Sequence, residues 1–441
     1  MLTSLFSPVV TVHAQSGILL KTFDIRASRL LLDPNRPRLY ALLPRDSGVA
    51  VIDTDTNSVS NTITVDPNPT DLTISPDGTK LYVVSNGSTQ TAISVIDLQS
   101  LTLVARLPLP VSTSAIAAGL GGRLYALVNT SGPHAIEQLD ATTGVAQGYV
   151  SRYVDTGYLR LSPDNKTLYY ANSGITDQSY LQSFDVSTDY PYLLQENDFN
   201  NGPDNGQGLT ISHNGKLLVF PIGTGNETDG HYYTTSLLSA ANINTVLGTF
   251  QNGAYPGPAA FSADDSLLYQ IRFGTQSIQI FSTIDFSLVD SFKFPYNDPI
   301  DIAVTGSQGH VYVSGAADDF GAGPLRLFSS RPVSFFNGSV AVTGGFYYLK
   351  FDTGVPFGYY SVANSPYLYH NDLGFEYPFD AANGSGGIYL YDFTSSTFWY
   401  TSRSLFPYLY DFALNAWLYY YPDPARPDHY NTEGVRYFYN F

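Results

Sequence analysis

The 441-residue chain has no cysteine, one methionine and only two tryptophans. Without thiols it can form no disulfide, no thiolate-bound zinc site, no iron–sulfur cluster and no cysteine nucleophile. That absence suits an exported bacterial protein as well as a cytosolic one. Basic residues are scarce too: 21 Lys and Arg stand against 38 Asp and Glu, a net charge of −17. They are scattered, whereas phosphate neutralisation needs them clustered, so nucleic acid is excluded as a partner and anionic membrane is disfavoured. No apolar run reaches the roughly eighteen residues a membrane-spanning helix needs. Charged residues make up only 13% of the chain against 43% hydrophobic, which excludes disorder and supplies a large core.

What is present is a repeat. Between Leu31 and Phe328 one short β unit recurs seven times, most legibly as Leu72-Thr73-Ile74-Ser75-Pro76-Asp77-Gly78-Thr79-Lys80-Leu81-Tyr82-Val83-Val84. Leu72 to Ile74 reads as a strand, Ser75 to Gly78 as a turn and Leu81 to Val84 as a second strand. Pro76 presets φ in that turn and Gly78 accepts a positive φ. Ile93 to Ile96, closing on Asp97, and Leu101 to Leu107 complete four strands. The second-strand tyrosine returns as Tyr40, Tyr82, Tyr125, Tyr169, Tyr269 and Tyr312, with Leu218 in the fifth unit. Third strands close on Asp53, Asp97, Asp140 and Asp185, with Ser282 in the sixth unit, where a side-chain oxygen can bond the next turn's N–H groups. A period in the low forties with this content predicts an all-β, seven-bladed β-propeller.

Ser75-Pro76-Asp77-Gly78, Leu81-Tyr82-Val83, Val95-Ile96-Asp97 and the spacer Pro67-Asn68-Pro69 resemble the YVTN-type β-propeller repeat family. The likeness covers most of residues 17–330 and is strongest in the first two units. It implies a seven-bladed ring, usually extracytoplasmic, and no single activity. The seventh unit is one strand short: Ile302 to Val304, His310 to Val313 and Leu325 to Phe328. Ser16 to Phe23 supplies the missing fourth strand and closes the ring, removing exposed sheet edges. Residues 1–14 then have no slot. Leu5 to Ala14 ends like a signal peptide but lacks a basic leader, so this segment is read as a signal-peptide remnant or N-terminal extension. The expected domains are residues 15–331, the propeller, and 332–441, a Tyr-rich β-repeat module.

That second module holds roughly half of the 35 tyrosines and both tryptophans. It repeats internally: Gly345 to Phe351 matches Gly387 to Phe393, Pro366-Tyr367-Leu368-Tyr369 matches Pro407-Tyr408-Leu409-Tyr410, and Leu373 to Tyr377 matches Asn415 to Tyr419. Tyr437 to Phe441 is a shortened third copy. Hairpins of this kind use Tyr and Trp for broad apolar area with a polar handle. Two readings stand: the rings pack on one another as core, or some line a solvent-facing surface that stacks on sugars or another flat ligand. The ligand-binding candidates are Tyr367, Tyr369, Trp399, Tyr408, Tyr410, Trp417 and Tyr419. The module resembles choline- and glucan-binding surface repeats in composition and hairpin length only. It is too short, and too broken by Pro356, Pro366, Pro378 and Pro407, for an outer-membrane barrel.

Catalytic machinery is not expected. The seven histidines include no pair three to five residues apart, and Asp53-Thr54-Asp55-Thr56-Asn57 opens like a calcium loop but lacks its Gly and distal Glu. Asp318-Asp319 is a similarly weak pair, and no nucleophile elbow, P-loop or dinucleotide fingerprint occurs. No unpaired Asp–Arg or His–Glu set is found that must converge on the tunnel. The loops Asn86-Gly87-Ser88 and Asn172-Ser173-Gly174 stay open as tunnel-mouth residues or plain turns. The reading is therefore a non-catalytic extracytoplasmic binding protein with no cofactor and no metal, partnered by protein or carbohydrate at the cell surface. The alternatives are a propeller enzyme of lactonase or quinoprotein-like type and a structural surface-layer component.

Overall fold

A computed structural model describes residues 17–441 except 89, 130–133, 174–179, 199–203, 207, 225–233, 252–255, 295–298, 306–309, 316–321, 331–334, 337–338, 352, 382–385, 431–435, 437 and 441. Residues 1–14, Gly174, Asp318 and Asp319 therefore lie outside the described residues. The chain divides into two compact units, one spanning Leu19 to Phe328 apart from residues 307–309, the other containing Ser329–Phe441.

The first unit is a seven-bladed propeller. Blade two comprises Pro69–Ile74, Lys80–Asn86, Thr91–Asp97 and Thr102–Leu109, hydrogen-bonded in that order, and six further antiparallel sheets repeat the plan. Blade five departs slightly: Asp204–Gly206 and Thr210–Ile211 both pair with Leu217–Thr224. Blade seven contains Pro299–Val304, His310–Gly315 and Gly323–Ser329, and Leu19–Ala27 from the chain's start pairs with the last of these, Thr22 opposite Arg326. The N-terminal strand thus closes the ring as the sequence predicted.

The core is a set of layers between blades. Tyr40, Leu42, Val49 and Val51 of blade one bury themselves against Leu72, Leu81, Val83 and Ile96 of blade two. Leu39, Ala41 and Ala50, on the opposite face of blade one, meet Phe23, Ala303, Tyr312 and Leu325 of blade seven. Alternation of side chains along each strand therefore serves two layers at once, which is why these strands are nearly continuously apolar.

The turns explain the polar part of the repeat. Ser75 Oγ donates to Asp77 Oδ1 at 2.5 Å, and Gly78 N donates to Ser75 O at 2.8 Å with Gly78 at φ +68°. Ser162 with Asp164, Ser212 with Asn214, and Ser262 with Asp264 repeat the contact, each followed by a left-handed residue: Asn165, Gly215 and Asp265. After the third strands, Asp53 accepts from Thr56 N and Asp97 from Ser100 N, both at 2.7 Å, and these backbone and side-chain bonds hold both carboxyls below their ordinary range. Asp53 is thus a turn cap. Ser282 does the same for Ile284 N at 3.3 Å.

The second unit contains one antiparallel meander of ten strands, each paired with its neighbours in sequence, from Val340–Ala341 to Phe438–Asn440. None exceeds the seven residues of Gly374–Asp380. Its core gathers Leu349, Phe357, Leu368, Ile388, Leu390, Trp399, Leu409, Leu418 and Tyr420 from the strands, with Phe335, Phe351, Phe406 and Tyr430 from connections.

Candidate functional site

Two surfaces stand out. The first is the outward face of the ten-stranded sheet. Aliphatic residues set the inward phase: Ile388 and Leu390 on Gly387–Asp392, Leu409 on Tyr408–Asp411, and Leu418 on Ala416–Tyr420 are all buried. Period-two alternation then turns their neighbours outward. From Leu368–His370 to Phe438–Asn440, the outward positions are Tyr369, Phe375, Tyr377, Phe379, Tyr389, Tyr391, Phe398, Tyr400, Tyr408, Tyr410, Trp417, Tyr419 and Tyr439. Among the described residues only the Gly387–Ser402 pair interrupts this aromatic series, and no charged side chain enters it.

The rings support one another across strands. Tyr369 pairs with Phe375 at 5.0 Å, Tyr389 with Tyr400 at 5.2 Å, Tyr391 with Phe398 at 5.0 Å, Tyr408 with Tyr419 at 5.0 Å and Tyr410 with Trp417 at 5.4 Å. Tilted and edge contacts at this spacing are the favoured aromatic geometry, and each ring keeps one part in water. Tyr367 is 44% exposed, Tyr408 41% and Trp417 36%, with Tyr369, Tyr410 and Tyr419 half-buried.

Trp399 is a correction among the seven candidates. It is 1% exposed, sits opposite Leu390 on the inward phase, and donates from Nε1 to Asp411 Oδ2 at 2.9 Å. It is a core residue and cannot stack on a ligand from outside. The other six lie on the outer side or its rim.

Charge has moved to the inside of this sheet. Asp392 is buried and receives a two-pronged contact from Arg436, at 2.8 and 3.0 Å. Burial opposes its ionisation, but Arg436 and Ser395 outweigh burial and hold the carboxyl below its usual range. Glu376 is buried directly across the strand pair, and burial together with Asp392 pushes it up to about 10. One neutral acid and one carboxylate therefore lie side by side, and the Arg436 guanidinium binds the carboxylate. His370 and His429, far apart in sequence, both meet Asp372. His429 Nδ1 is 3.1 Å from Asp372 Oδ1, while His370 accepts the Asp372 N–H at 3.1 Å and donates from Nε2 to Phe357 O at 2.7 Å. Burial lowers His370 to about 4, so it is a neutral structural ring. Among the described residues no group of three or more acidic or histidine side chains is placed to hold a metal ion.

The second surface is the mouth of the propeller's axial channel. The innermost strands start there: Pro69 opens blade two's, Pro299 opens blade seven's, and both strands carry the same bulge before their aspartates. Register places Leu31, Thr73, Arg160 and Ala303 opposite the landmark tyrosines. Two residues earlier on each strand, at one level of the channel, stand Arg29, Asp71, Tyr158 and Asp301, with Ala115, Leu209 and Pro258 in the other blades. An Asp–Arg set that the sequence did not single out does meet at the tunnel, with its carboxylates bonded to backbone N–H groups.

The carboxylates staple neighbouring blades: Asp71 Oδ2 accepts Ile116 N at 3.0 Å, and Asp301 Oδ2 accepts Leu30 N at 2.9 Å. The Arg29 guanidinium lies 5.7 Å from the centre of the Tyr158 ring on blade four. Burial works against this cation, but Asp71, Asp301 and Tyr158 leave it above its ordinary pKa. Above it opens a cavity of about 400 Å³ lined by Ser28, Asn68, Thr70, Phe273, Ile300 and four prolines as well as Arg29 and Tyr158. Asn86 is a further inter-blade staple, with Oδ1 accepting Thr113 N at 3.0 Å and Nδ2 donating to Thr113 O at 2.8 Å.

No family model matches the chain, and no curated protein matches it. Solved structures do. Hydrazine synthase of Kuenenia stuttgartiensis superposes with a TM-score of 0.54 at 15% identity, over 70% of this chain and 97% of that one. The β-propeller domain of Cps50 (Swd1) from Myceliophteria thermophila gives 0.54 at 14% identity, over 71% and 99%. Likeness at this identity establishes the seven-bladed propeller and nothing of activity.

Proposed function

We propose that this chain is a non-catalytic binding protein acting outside the cytoplasm, with its C-terminal sheet holding an extended carbohydrate and its propeller serving as a platform for a protein or small ligand. The observation that carries this reading is the uncharged aromatic face running from Tyr369 to Tyr439. Isolated exposed rings are ordinary, but a contiguous apolar face marks an interaction surface. Tyrosine dominates it, so hydroxyls fringe the apolar faces, which suits an amphipathic sugar polymer better than a lipid. Two internal copies placed side by side present similar rings at regular intervals, as a repeating ligand requires. The likeness of the propeller repeats to the YVTN-type family supports the extracytoplasmic placement.

The test is binding of the intact protein to a panel of immobilised polysaccharides, repeated with Trp417→Ala and Tyr408→Ala. Retention by at least one glycan that falls about tenfold or more in each variant, with the far-UV spectrum unchanged, supports the reading. Retention identical in both variants overturns it.

A further inference from the structure

The geometry points to the axial mouth of the propeller as a separate binding site for a small organic monocarboxylate with a flat, apolar body, anchored by Arg29. The Arg29 side chain is half-buried and forms part of the cavity wall, so its guanidinium has donors to offer a ligand. Among the described residues no acceptor lies within hydrogen-bond distance of it and no carboxylate within ion-pair distance. Its two acidic neighbours are committed elsewhere: both Asp301 oxygens take backbone N–H groups, of Leu30 and Ile302 at 2.9 Å, and Asp71 takes that of Ile116. A guanidinium presents a planar fork of N–H donors that matches a carboxylate's two oxygens. Arg29 lines a cavity of about 400 Å³, within the range of small-molecule pockets.

Charge selects a single anion. Asp71 and Asp301 stand beside Arg29 and Arg160, the latter one layer deeper on Gly157–Leu161, so two acidic groups face two cations, with burial pushing the Asp301 carboxyl up against the pull of both guanidiniums. A monoanion is stabilised by the guanidinium, while a dianion brings a second charge that two nearby carboxylates repel. The walls select the body. Pro44, Pro69, Pro258, Pro299 and Ile300 supply aliphatic surface and Phe273 with Tyr158 supplies rings, while Ser28, Asn68 and Thr70 add polar groups. This site is independent of the aromatic sheet, so either can fail without the other.

The experiment uses the full chain with benzoate as probe, benzamide as its neutral counterpart and phenyl phosphate as its dianion, read by calorimetry and by thermal shift. Benzoate is expected to bind saturably and raise the melting temperature with concentration, as a ligand of the native state must. Benzamide and phenyl phosphate should each bind at least about tenfold more weakly, a factor equal to ~1.4 kcal/mol. Arg29→Gln removes the anchor, and Ile300→Trp fills the mouth while leaving every charge in place. Each should weaken benzoate about tenfold or more. Absence of saturable benzoate binding, affinity unchanged in Ile300→Trp, or phenyl phosphate binding as tightly as benzoate overturns the proposal.

Discussion

The two units use β-sheet in opposite ways. In the propeller, aliphatic side chains fill layers between blades and polar side chains do their work in turns, as Asp53, Asp77 and Asp97 show. In the C-terminal sheet, acidic side chains at 376, 392 and 411 point inward while tyrosines, phenylalanines and one tryptophan face out. A blade is covered on both faces by its neighbours, so its strands need only be apolar. The ten-stranded sheet has one core face, and its other face carries rings of the kind that elsewhere fill a core. Buried charges are retained where they are paired, here by Arg436 and the Trp399 indole. The lesson is that composition alone does not assign an aromatic residue to core or surface; strand phase does.

Substitutions that cross this inside–outside line should separate sharply. Trp399→Ala removes a buried ring and leaves Asp411 without its indole donor, so a loss of about 3–5 kcal/mol is expected. Trp417→Ala, one phase out of step, should change stability by less than about 1 kcal/mol. Urea unfolding followed by tryptophan fluorescence reports this module alone, since both tryptophans lie in it. Equal losses would erase the distinction between the two faces.

Next in size, Leu42→Ala opens a cavity between blades one and two and should cost about 2–5 kcal/mol, read by far-UV circular dichroism. Tyr389→Ala on the sheet's outer face should stay within about 1 kcal/mol. A cost at Tyr389 matching that at Leu42 would mean the outer face is structural after all.

Glu376 gives the comparison a pH dependence. It ionises near 4.5 in an unfolded chain but only near 10 in the fold, so the unfolded state sheds the proton first and stability falls as pH rises between those values. Glu376→Gln should therefore melt with wild type near pH 4 and gain about 1–3 kcal/mol over it by pH 8. A gap that stays constant with pH would show that the carboxyl is not held neutral. Within the propeller a smaller cost than that of Leu42→Ala is expected at Gly78, whose φ of +68° and a 2.5 Å approach of a new Cβ to Asn35 Nδ2 make Gly78→Ala cost about 1 kcal/mol. A neutral result there would remove the turn from the propeller's account.

The propeller was legible in the sequence because its repeat states the same local physics seven times. Ser-Pro-Asp-Gly-like turns, a tyrosine in six of the seven second strands and a capping Asp or Ser after third strands reappear as contacts, and the missing strand of blade seven pointed to Ser16–Phe23. The axial cluster was hidden because Arg29, Asp71, Tyr158 and Asp301 belong to four blades and differ in type. Register relative to the landmark tyrosines brings them to one level, and the shared Pro69-Thr70-Asp71 and Pro299-Ile300-Asp301 pattern was the available signal. The aromatic face was half legible. Ile388, Leu390, Leu409 and Leu418 fix the inward phase, but Phe398-Trp399-Tyr400 puts rings in both phases, so Trp399 could not be sorted from Trp417 by pattern. Only the cross-strand pairing with Leu390 and Asp411 does that.

The most direct measurement of the binding reading uses Trp417 as its own reporter. Acrylamide quenching of tryptophan emission is recorded with and without the polysaccharide that the intact protein retains best, in wild type and in Trp417→Phe. Stacking on the outer face predicts that the polysaccharide shields a quenchable indole in wild type and changes nothing in the variant, where only buried Trp399 remains. Quenching of wild type that is indifferent to the polysaccharide would contradict the account.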